Sequence, residues 1–323
     1  MLNPCCSRLT SAAADPPPPL QHGRDLTRLF YEEKLDTIWE QFAPPMKDLL
    51  GSLQSLKSFR EQVRRQFGRE VLVASERVDF VGTTAVYERT ARFEKLSAPI
   101  LVQWFLGLDG RVTGFRVTLA EGAPSKYLQY QTKTDLYLPF RGEWYVFWGG
   151  RTASQNLHAL SKDQRFAYDF VIMKGGSSHT GTGRKNEDYY CFGQPILAPG
   201  SGSVVSIENG VDDNVPGVMN ARQPLGNYVI IDHGNGEFSF LAHLCRGSVK
   251  VKKGDKVKAG DLLGDCGNSG HSSEPHLHYH LQNTGEPFKG DGLPAQFRDY
   301  IADGRPVARG EPVRGQVISL SKE

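Results

Sequence analysis

Two histidines separated by a single residue are the clearest chemical feature of the sequence. They stand in Pro275-His276-Leu277-His278, within an apolar run that predicts a β-strand. Because side chains i and i+2 of a strand point to the same face, both imidazoles can project into one cleft. Imidazole is a favoured zinc ligand, and a catalytic zinc site needs about three protein ligands and an open position. The pair by itself is a weak signal and needs further ligands nearby.

A third histidine and an aspartate lie in other predicted strands. His243 ends the predicted strand 238–244, and Asp169 lies in the middle of the predicted strand 166–173 among residues typical of a buried strand. A carboxylate within an apolar strand needs a partner, because burying an unpaired charge is costly. A lysine or arginine would meet that need as a structural ion pair, and zinc would meet it equally.

Residues 156–282 resemble the catalytic domain of lysostaphin-type and LytM-type zinc endopeptidases. Five blocks carry the resemblance in the same order: Gly193–Gly202, Gly226–Gly234, Leu241–Leu244, Val251–Gly260, and Gly267–Gly270 followed by Pro275–Tyr279. Chance agreement over so many blocks is improbable. The resemblance implies that Asp169 and His278 bind zinc (Zn²⁺) and that His243 and His276 are unliganded catalytic histidines.

One position departs from the family pattern. The first histidine ligand usually lies four residues before the aspartate, and here that position is Arg165. His158 is the expected replacement, since the preceding segment could return it beside Asp169, and Asn-x-His upstream of the aspartate resembles a known variant of the family. His179 competes for the role, but its Gly- and Ser-rich surroundings predict a mobile loop.

The expected ligand set implies a hydrolytic mechanism. Zinc held by two neutral histidines and one carboxylate would polarise a scissile carbonyl and lower the pKa of bound water toward about 7. One of His243 and His276 would take a proton from that water, and the other would hydrogen-bond the developing oxyanion. The sequence does not decide which histidine is the base. The resemblance further implies that the substrates are peptide cross-links or stem peptides of peptidoglycan in the bacterial cell envelope.

Two other functions are compatible with parts of the sequence. A catalytically inactive relative could bind the cell wall or activate another hydrolase, and the substitution at Arg165 keeps this alternative open. Val251–Leu263 also resembles biotinyl and lipoyl carrier modules, but the lysine that such modules carry at an exposed hairpin tip is missing. Zinc content would separate the enzyme from the inactive relative.

Composition excludes several classes of protein. The 323 residues suggest two domains, and the net charge of +2 excludes a strongly basic nucleic-acid binder. No run approaches the roughly 18 apolar residues of a membrane span.

Cys191, Cys245 and Cys266 lack C-x-x-C spacing, which argues against a cysteine zinc site. A Cys245–Cys266 disulfide and buried free thiols both stay open, as does the oligomeric state.

The first residues give an ambiguous signal for export. Ser11–Ala14 would suit a signal-peptide cleavage site, but the apolar core that an export signal needs is missing before it. Cys5 and Cys6 lack the preceding small residues of a lipoprotein site. We therefore interpret the segment as a disordered tail or the remnant of an export signal.

The pattern after this segment predicts a small α+β domain. Helices are expected over residues 25–42, with Asp25 as N-cap, and 56–67, with Gly68 as stop. Strands follow at 71–80, 85–93, 100–106 and 112–117, with Asp109-Gly110 as a hairpin turn. Helices followed by an antiparallel meander resemble the cone-shaped, nuclear-transport-factor-like domains attached to some secreted bacterial enzymes. We expect an accessory or substrate-positioning unit.

The second half predicts an antiparallel β domain without a long helix. Strands are expected at 127–130, 136–138, 144–147, 166–173, 203–207, 227–232, 238–244, 248–251, 262–266 and 276–281. The predicted fold is therefore an α+β, cone-like N-terminal domain and an all-β, antiparallel C-terminal peptidase domain. The predicted boundaries are residues 1–24 for the tail, 25–120 for the accessory domain, 121–150 for connector strands and 151–323 for the β-rich zinc endopeptidase domain.

Overall fold

A computed structural model describes residues 17–81 and 83–321 of the chain. Residues 1–16 of the predicted tail or export remnant, including Cys5 and Cys6, therefore lie outside the described residues. From residue 19 onward the structure corrects the predicted tail, because the first helix already begins there. Among the described residues, no helix is both long enough and apolar enough to cross a membrane.

Four helices open the described chain: α1 (Pro19–Tyr31), α2 (Leu35–Gln41), α3 (Pro44–Leu50) and α4 (Leu53–Phe67). The single helix predicted over residues 25–42 is wrong, because Glu33 adopts a left-handed φ of 61° and divides it into α1 and α2. Asp25 lies inside α1 and is not its cap. The predicted stop is confirmed, since Gly68 ends α4 with a φ of 81°.

A four-stranded antiparallel sheet follows, formed by β1 (Glu70–Val81), β2 (Thr84–Phe93), β3 (Leu96–Leu106) and β4 (Val112–Leu119) in that spatial order. The helices cover one face of this sheet. Trp104 lies in the core between them: its ring stacks on Phe115 at a centroid distance of 3.7 Å, and its indole N–H donates to the Thr27 hydroxyl at 2.9 Å. Gly23 permits the close approach, because a Cβ there would lie 2.1 Å from the Tyr87 ring. The predicted α+β character is confirmed.

The second half forms one large antiparallel sheet and a small one. The strands are β5 (Trp144–Trp148), β6 (Tyr168–Val171), β7 (Pro195–Leu197), β8 (Gly202–Glu208), β9 (Asn227–Asp232), β10 (Phe238–Leu244), β11 (Lys256–Val257), β12 (Leu262–Asp265), β13 (Leu277–Gln282), β14 (Gly292–Leu293), β15 (Phe297–Ala302), β16 (Arg305–Gly310) and β17 (Val317–Leu320). The large sheet has the order β11-β8-β9-β10-β13-β6-β5-β17-β15-β16, with β14 beside β13, and β12 pairs with β7. The predicted all-β class is confirmed.

Several predicted strands differ from the structure. Residues 248–251, 127–130 and 136–138 are irregular, although Val249 and Val251 still pack their side chains against the core. The last four strands were not predicted. In β16 every residue is exposed or half-buried, so the sequence there lacks the period-two apolar signal of a half-buried strand.

Cys191, Cys245 and Cys266 are free thiols, so the disulfide left open by the sequence is not formed.

A buried carboxylate ties the connector between the two halves to the large sheet. Glu237, at the turn between β9 and β10, accepts hydrogen bonds from the Tyr130 hydroxyl at 2.8 Å and from the backbone N–H groups of Lys133 at 2.6 Å and Thr134 at 2.8 Å. The Thr134 hydroxyl donates a fourth. Burial acts to raise the pKa of Glu237, but these donors outweigh it and hold the pKa below its usual value.

A buried guanidinium holds the start of the same connector. Arg165 donates from Nε to the carbonyl oxygen of Ala123 at 2.6 Å, from Nη1 to that of Arg151 at 2.8 Å and from Nη2 to that of Glu121 at 2.7 Å. Three backbone acceptors that would otherwise lack partners are satisfied by one planar group. Burial lowers the pKa of this guanidinium.

We expect Glu237→Gln to lower the free energy of unfolding at pH 7 by about 1.5–3 kcal/mol, because an amide is a weaker acceptor than a carboxylate. The folded pKa is lowered, so this stabilisation is present above about pH 4.5 and is lost as the pH falls further. Denaturant titrations should therefore show the difference between variant and wild type shrinking below that pH. Exposed Glu286→Gln is the control, and a constant difference at all pH values would contradict the prediction.

We expect Arg165→Met to lower the free energy of unfolding by about 2–4 kcal/mol, because a buried group that donates to three partly buried backbone carbonyl groups is removed. Urea denaturation followed by tryptophan fluorescence measures the change. Arg298→Met is the matched control, since Arg298 pairs with Asp135 at the surface and exposed pairs stabilise by less than about 1 kcal/mol. Equal losses in both variants would refute the structural role of Arg165.

Candidate metal centre

Neighbouring strands bring Asp169 and His278 together. Asp169 lies on β6 directly opposite His278 on β13 in the antiparallel register, and Trp148 of β5 lies opposite Asp169 on its other side. The Nδ1 atom of His278 is 2.9 Å from Oδ1 of Asp169. Both side chains are buried, and the pairing is a direct consequence of strand register.

A short 3₁₀ helix brings His158 to the same carboxylate. This helix, Leu157–Leu160, is capped by Asn156, whose side-chain oxygen accepts from the His158 N–H at 3.0 Å. The Asn156 amide also donates to the Ala167 carbonyl at 2.9 Å, next to the strand that carries Asp169. Nε2 of His158 consequently lies 2.9 Å from Oδ2 of Asp169. Asn156 is a positioning residue of the site.

The donor set fits a zinc ion. His158, Asp169 and His278 each offer one ligand atom, and these atoms lie within 4.8 Å of one another. Two imidazole nitrogens and one carboxylate oxygen are a ligand set known from catalytic zinc sites. Burial acts to raise the pKa of Asp169, yet the imidazoles of His158 and His276 outweigh it and hold the pKa well below the usual value. The carboxylate is therefore ionised and available as a ligand.

His280 supports His278 from behind. Nδ1 of His280 lies 2.9 Å from Nε2 of His278, and its ring stacks on Phe240 at a centroid distance of 4.4 Å. If Nδ1 of His278 binds a metal, Nε2 carries the proton and donates to His280. The structure buries His280 beside His278.

His243 and His276 face the cluster from the adjacent strand end and loop. Their ring centroids are 4.8 Å apart, and Nε2 of His276 lies 3.6 Å from Oδ1 of Asp169. His243 adopts a left-handed φ of 64° where the β9–β10 register shifts. Such a conformation costs roughly 1–3 kcal/mol in a non-glycine residue, and it is a common feature of functional sites.

Backbone carbonyls determine which nitrogen of each imidazole is protonated. Nδ1 of His243 lies 2.8 Å from the Ser269 carbonyl oxygen, and Nδ1 of His276 lies 2.8 Å from that of Glu274. A carbonyl can only accept, so Nδ1 carries the proton and Nε2 is the basic nitrogen in both neutral rings. Burial lowers the pKa of His243 well below its usual value, which keeps this ring neutral.

The remaining candidates lie beside the cluster. His179 lines the same cleft of about 730 Å³, but it is outside the three-residue cluster, and its Nδ1 faces the Thr180 carbonyl oxygen at 3.2 Å. Arg165 occupies the usual ligand position in sequence, and its side chain is engaged by backbone carbonyls of the connector. The structure thus brings the five predicted site residues together, and the replacement of the usual ligand at Arg165 by His158 stays a prediction.

Sequence reasoning missed the groups that orient the histidines. Ser269 lies in the Gly267–Gly270 block that supported the family resemblance, but the residue had no role assigned to it. Its carbonyl accepts from His243, and its hydroxyl donates to the Leu244 carbonyl at 2.7 Å. The Gly267–Gly270 block was the signal in the sequence that could have pointed to Ser269. The bond is made by the backbone, however, so the residue type did not reveal it.

Comparison with known proteins finds similarity over part of the chain. Residues 182–289 match Peptidase family M23. Peptidoglycan DD-endopeptidase ShyA of Vibrio cholerae is 38% identical over 96 residues, which are 30% of this chain and 19% of that protein. Peptidoglycan DD-endopeptidase ShyC of the same organism is 35% identical over 109 residues, 33% of this chain and 21% of that protein. This chain thus spans only about a fifth of the length of these relatives.

A structural comparison gives weaker similarity. The catalytic domain of the prophage-encoded M23 protein EnpA from Enterococcus faecalis aligns with 49% of this chain and 94% of its own, at 23% identity and a TM-score of 0.32. At that TM-score the alignment adds nothing to the sequence match. The sequence similarity to peptidase family M23 thus covers residues 182–289, about a third of the chain.

Proposed function

We propose that this chain is a zinc-dependent endopeptidase that hydrolyses peptide cross-links or stem peptides of bacterial peptidoglycan in the cell envelope. The observation that carries the proposal is the single cleft in which the cluster of His158, Asp169 and His278 faces His243 and His276. The names of the relatives ShyA and ShyC, both peptidoglycan DD-endopeptidases, support the substrate class.

Zinc is expected to be held by His158, Asp169 and His278. When bound, it supplies Lewis acidity, which polarises the scissile carbonyl and makes water a better nucleophile at neutral pH. The chain itself supplies the geometry. Asn156 holds the turn that carries His158, and strand register holds the other two ligands.

His243 and His276 handle the proton and the developing negative charge. Each neutral ring has its proton on Nδ1, so Nε2 can accept a proton from the attacking water. Once protonated, the same nitrogen can donate a hydrogen bond to the oxyanion or to the leaving amine. Burial keeps His243 neutral, which is the state that a proton acceptor needs. We assign the base to neutral His243, and the oxyanion donor to His276 in its doubly protonated form, in which Nε2 also carries a proton.

The alternative of a catalytically inactive wall-binding relative has no observation in its favour. Such a protein is expected to lack one or more ligand or catalytic residues. Here the substitution at Arg165 is offset by His158, which lies 2.9 Å from the aspartate.

We expect wild-type protein and His179→Ala to bind about one zinc ion per chain, and His158→Ala to lose it, because a site reduced to two ligands holds zinc weakly. Elemental analysis of purified proteins measures the metal, and muropeptide digestion measures the activity of each. Chelation should abolish digestion by the wild type, and added zinc should restore it. Zinc retained by His158→Ala would overturn the assignment of His158 as a ligand. Zinc lost from His179→Ala would assign that ligand position to His179 instead.

We expect His243→Ala and His276→Ala each to lower kcat by roughly 10²- to 10⁴-fold while zinc content stays unchanged, because general acid–base and oxyanion contributions are of that size. Turnover of a defined muropeptide together with zinc analysis tests this. His271→Ala is the control, since His271 is exposed on the rim of the same cleft. If either active-site variant keeps wild-type kcat, the proposed role of that residue is wrong.

A further inference from the structure

A row of polar side chains crosses all four strands of the N-terminal sheet on the face opposite the helices. Strand pairing places Arg77 opposite Glu88, Glu88 opposite Gln103, and Gln103 opposite Arg116. Tyr87 packs into the helix-covered core, so its neighbour Glu88 points to the other face. Glu88 and Gln103 are nevertheless buried. The second half of the chain must therefore cover this face.

Glu88 is the centre of this row. Its carboxylate accepts from Arg77 Nε at 2.7 Å, from Gln103 Nε2 at 2.8 Å and, across the interface, from Arg314 Nη1 at 3.3 Å. The side chains of Glu88 and Arg314 are only 3% and 5% exposed. Arg116 also faces this carboxylate, and burial lowers its pKa to about 10. Glu88, together with Asp79, whose Oδ2 lies 3.7 Å from Arg314 Nη2, thus offsets several guanidinium groups from both halves of the chain.

Arg314 connects the row to the cleft. Its guanidinium carbon lies 4.8 Å from the centroid of the Trp148 ring, and its Nη1 donates to the Ser154 carbonyl oxygen at 2.6 Å. Trp148 lines the cleft and is the strand neighbour of Asp169. The contact between the two halves therefore lies directly beside Trp148, a residue that lines the cleft of the candidate metal centre.

The tip of the β1–β2 hairpin reaches the same cleft. Thr83 and Thr84 line it together with His158 and His276. Thr83 is exposed, and Thr84 begins the strand that carries Glu88 four residues later. Since the ion pair at Glu88 anchors this strand, the tip is held beside the metal centre, where two hydroxyl-bearing residues line the cleft.

We propose that the N-terminal domain forms one wall of the substrate cleft, and that Thr83 and Thr84 contact a peptide branch beyond the scissile bond. This inference rests on the proposed peptidase function and narrows its substrates from cross-links or stem peptides to cross-linked peptides. The preferred substrate is a cross-linked, branched peptide that reaches from the metal centre to the hairpin tip. Neutral hydroxyls suit hydrogen bonding to peptide amide groups. Glu88 touches no substrate and is a positioning residue for this wall.

The first test adds bulk to the exposed tip. We expect Thr83→Trp to raise KM for a cross-linked muropeptide dimer about fivefold or more, with kcat within about twofold, because ground-state and transition-state contacts are lost equally. KM for a short linear peptide with the same scissile bond should not change. Leu108→Trp is the matched control, since Leu108 lies in the exposed β3–β4 turn. An equal effect on both substrates would overturn the proposal.

The second test removes the anchoring charge. We expect Glu88→Gln to raise the ratio of dimer KM to linear-peptide KM at least about threefold while zinc content stays unchanged. Glu94→Gln is the control, because Glu94 lies in the exposed β2–β3 turn of the same sheet and pairs there with Arg69. A general loss of stability would alter both substrates together, so an unchanged ratio would exclude a positioning role for Glu88.

Binding measurements separate this inference from the peptidase proposal. Full-length His243→Ala, with and without Thr83→Trp, is titrated with the muropeptide dimer and with the linear peptide. The inference predicts that Thr83→Trp weakens binding of the dimer about fivefold and leaves the linear peptide unaffected. If wild type cleaves neither substrate but Thr83→Trp still weakens binding of the dimer alone, the peptidase proposal fails and the proposed role of the N-terminal domain as a cleft wall is supported. If cleavage occurs and dimer binding is unaffected, the cleft wall is refuted.

Discussion

The burial of one ionised carboxylate is the constraint on which the second half of the chain depends. Asp169 lies within an apolar strand, between Tyr168 and Phe170, where an unpaired charge would be strongly unfavourable. Three imidazoles surround it, and two of them come from the neighbouring strand and the loop before it. The large sheet keeps Asp169 and His278 opposite each other by backbone hydrogen bonds alone. The fold thus brings together the residues that we propose as zinc ligands.

Backbone groups orient the two histidines that are expected to do chemistry. The carbonyl groups of Ser269 and Glu274 hold the Nδ1 protons of His243 and His276, so both rings present Nε2 as the basic nitrogen. His243 also departs from strand geometry with its left-handed φ. Strain of this kind persists only where surrounding contacts determine the conformation. Here the hydrogen bond from the Gly267 N–H to the His243 carbonyl is one of those contacts.

Three buried charges join the two halves of the molecule. Glu237 and Arg165 bind backbone groups of the connector, and Glu88 pairs with Arg314 between the N-terminal sheet and the cleft. Buried charges of this type need several partners to offset their desolvation. They specify one arrangement of the halves more strongly than surface ion pairs do. The domain boundaries proposed from the sequence stay a prediction, although β5 of the connector already belongs to the large sheet.

The sequence by itself determined the fold class and the residues that form the core of the candidate site. Alternating apolar residues predicted most strands, because one face of each is buried, and His276-Leu277-His278 implied two imidazoles on one strand face. What the tertiary structure alone decided are the relations between distant segments. The return of His158 to Asp169 depends on hydrogen bonds of Asn156 to backbone groups that residue types do not reveal. The approach of Thr83 to the cleft depends on the packing of two sheets, which leaves no local pattern in the chain. Among the late strands, β16 escaped prediction for a related reason: exposed or half-buried throughout, it depends on backbone pairing rather than on an apolar repeat.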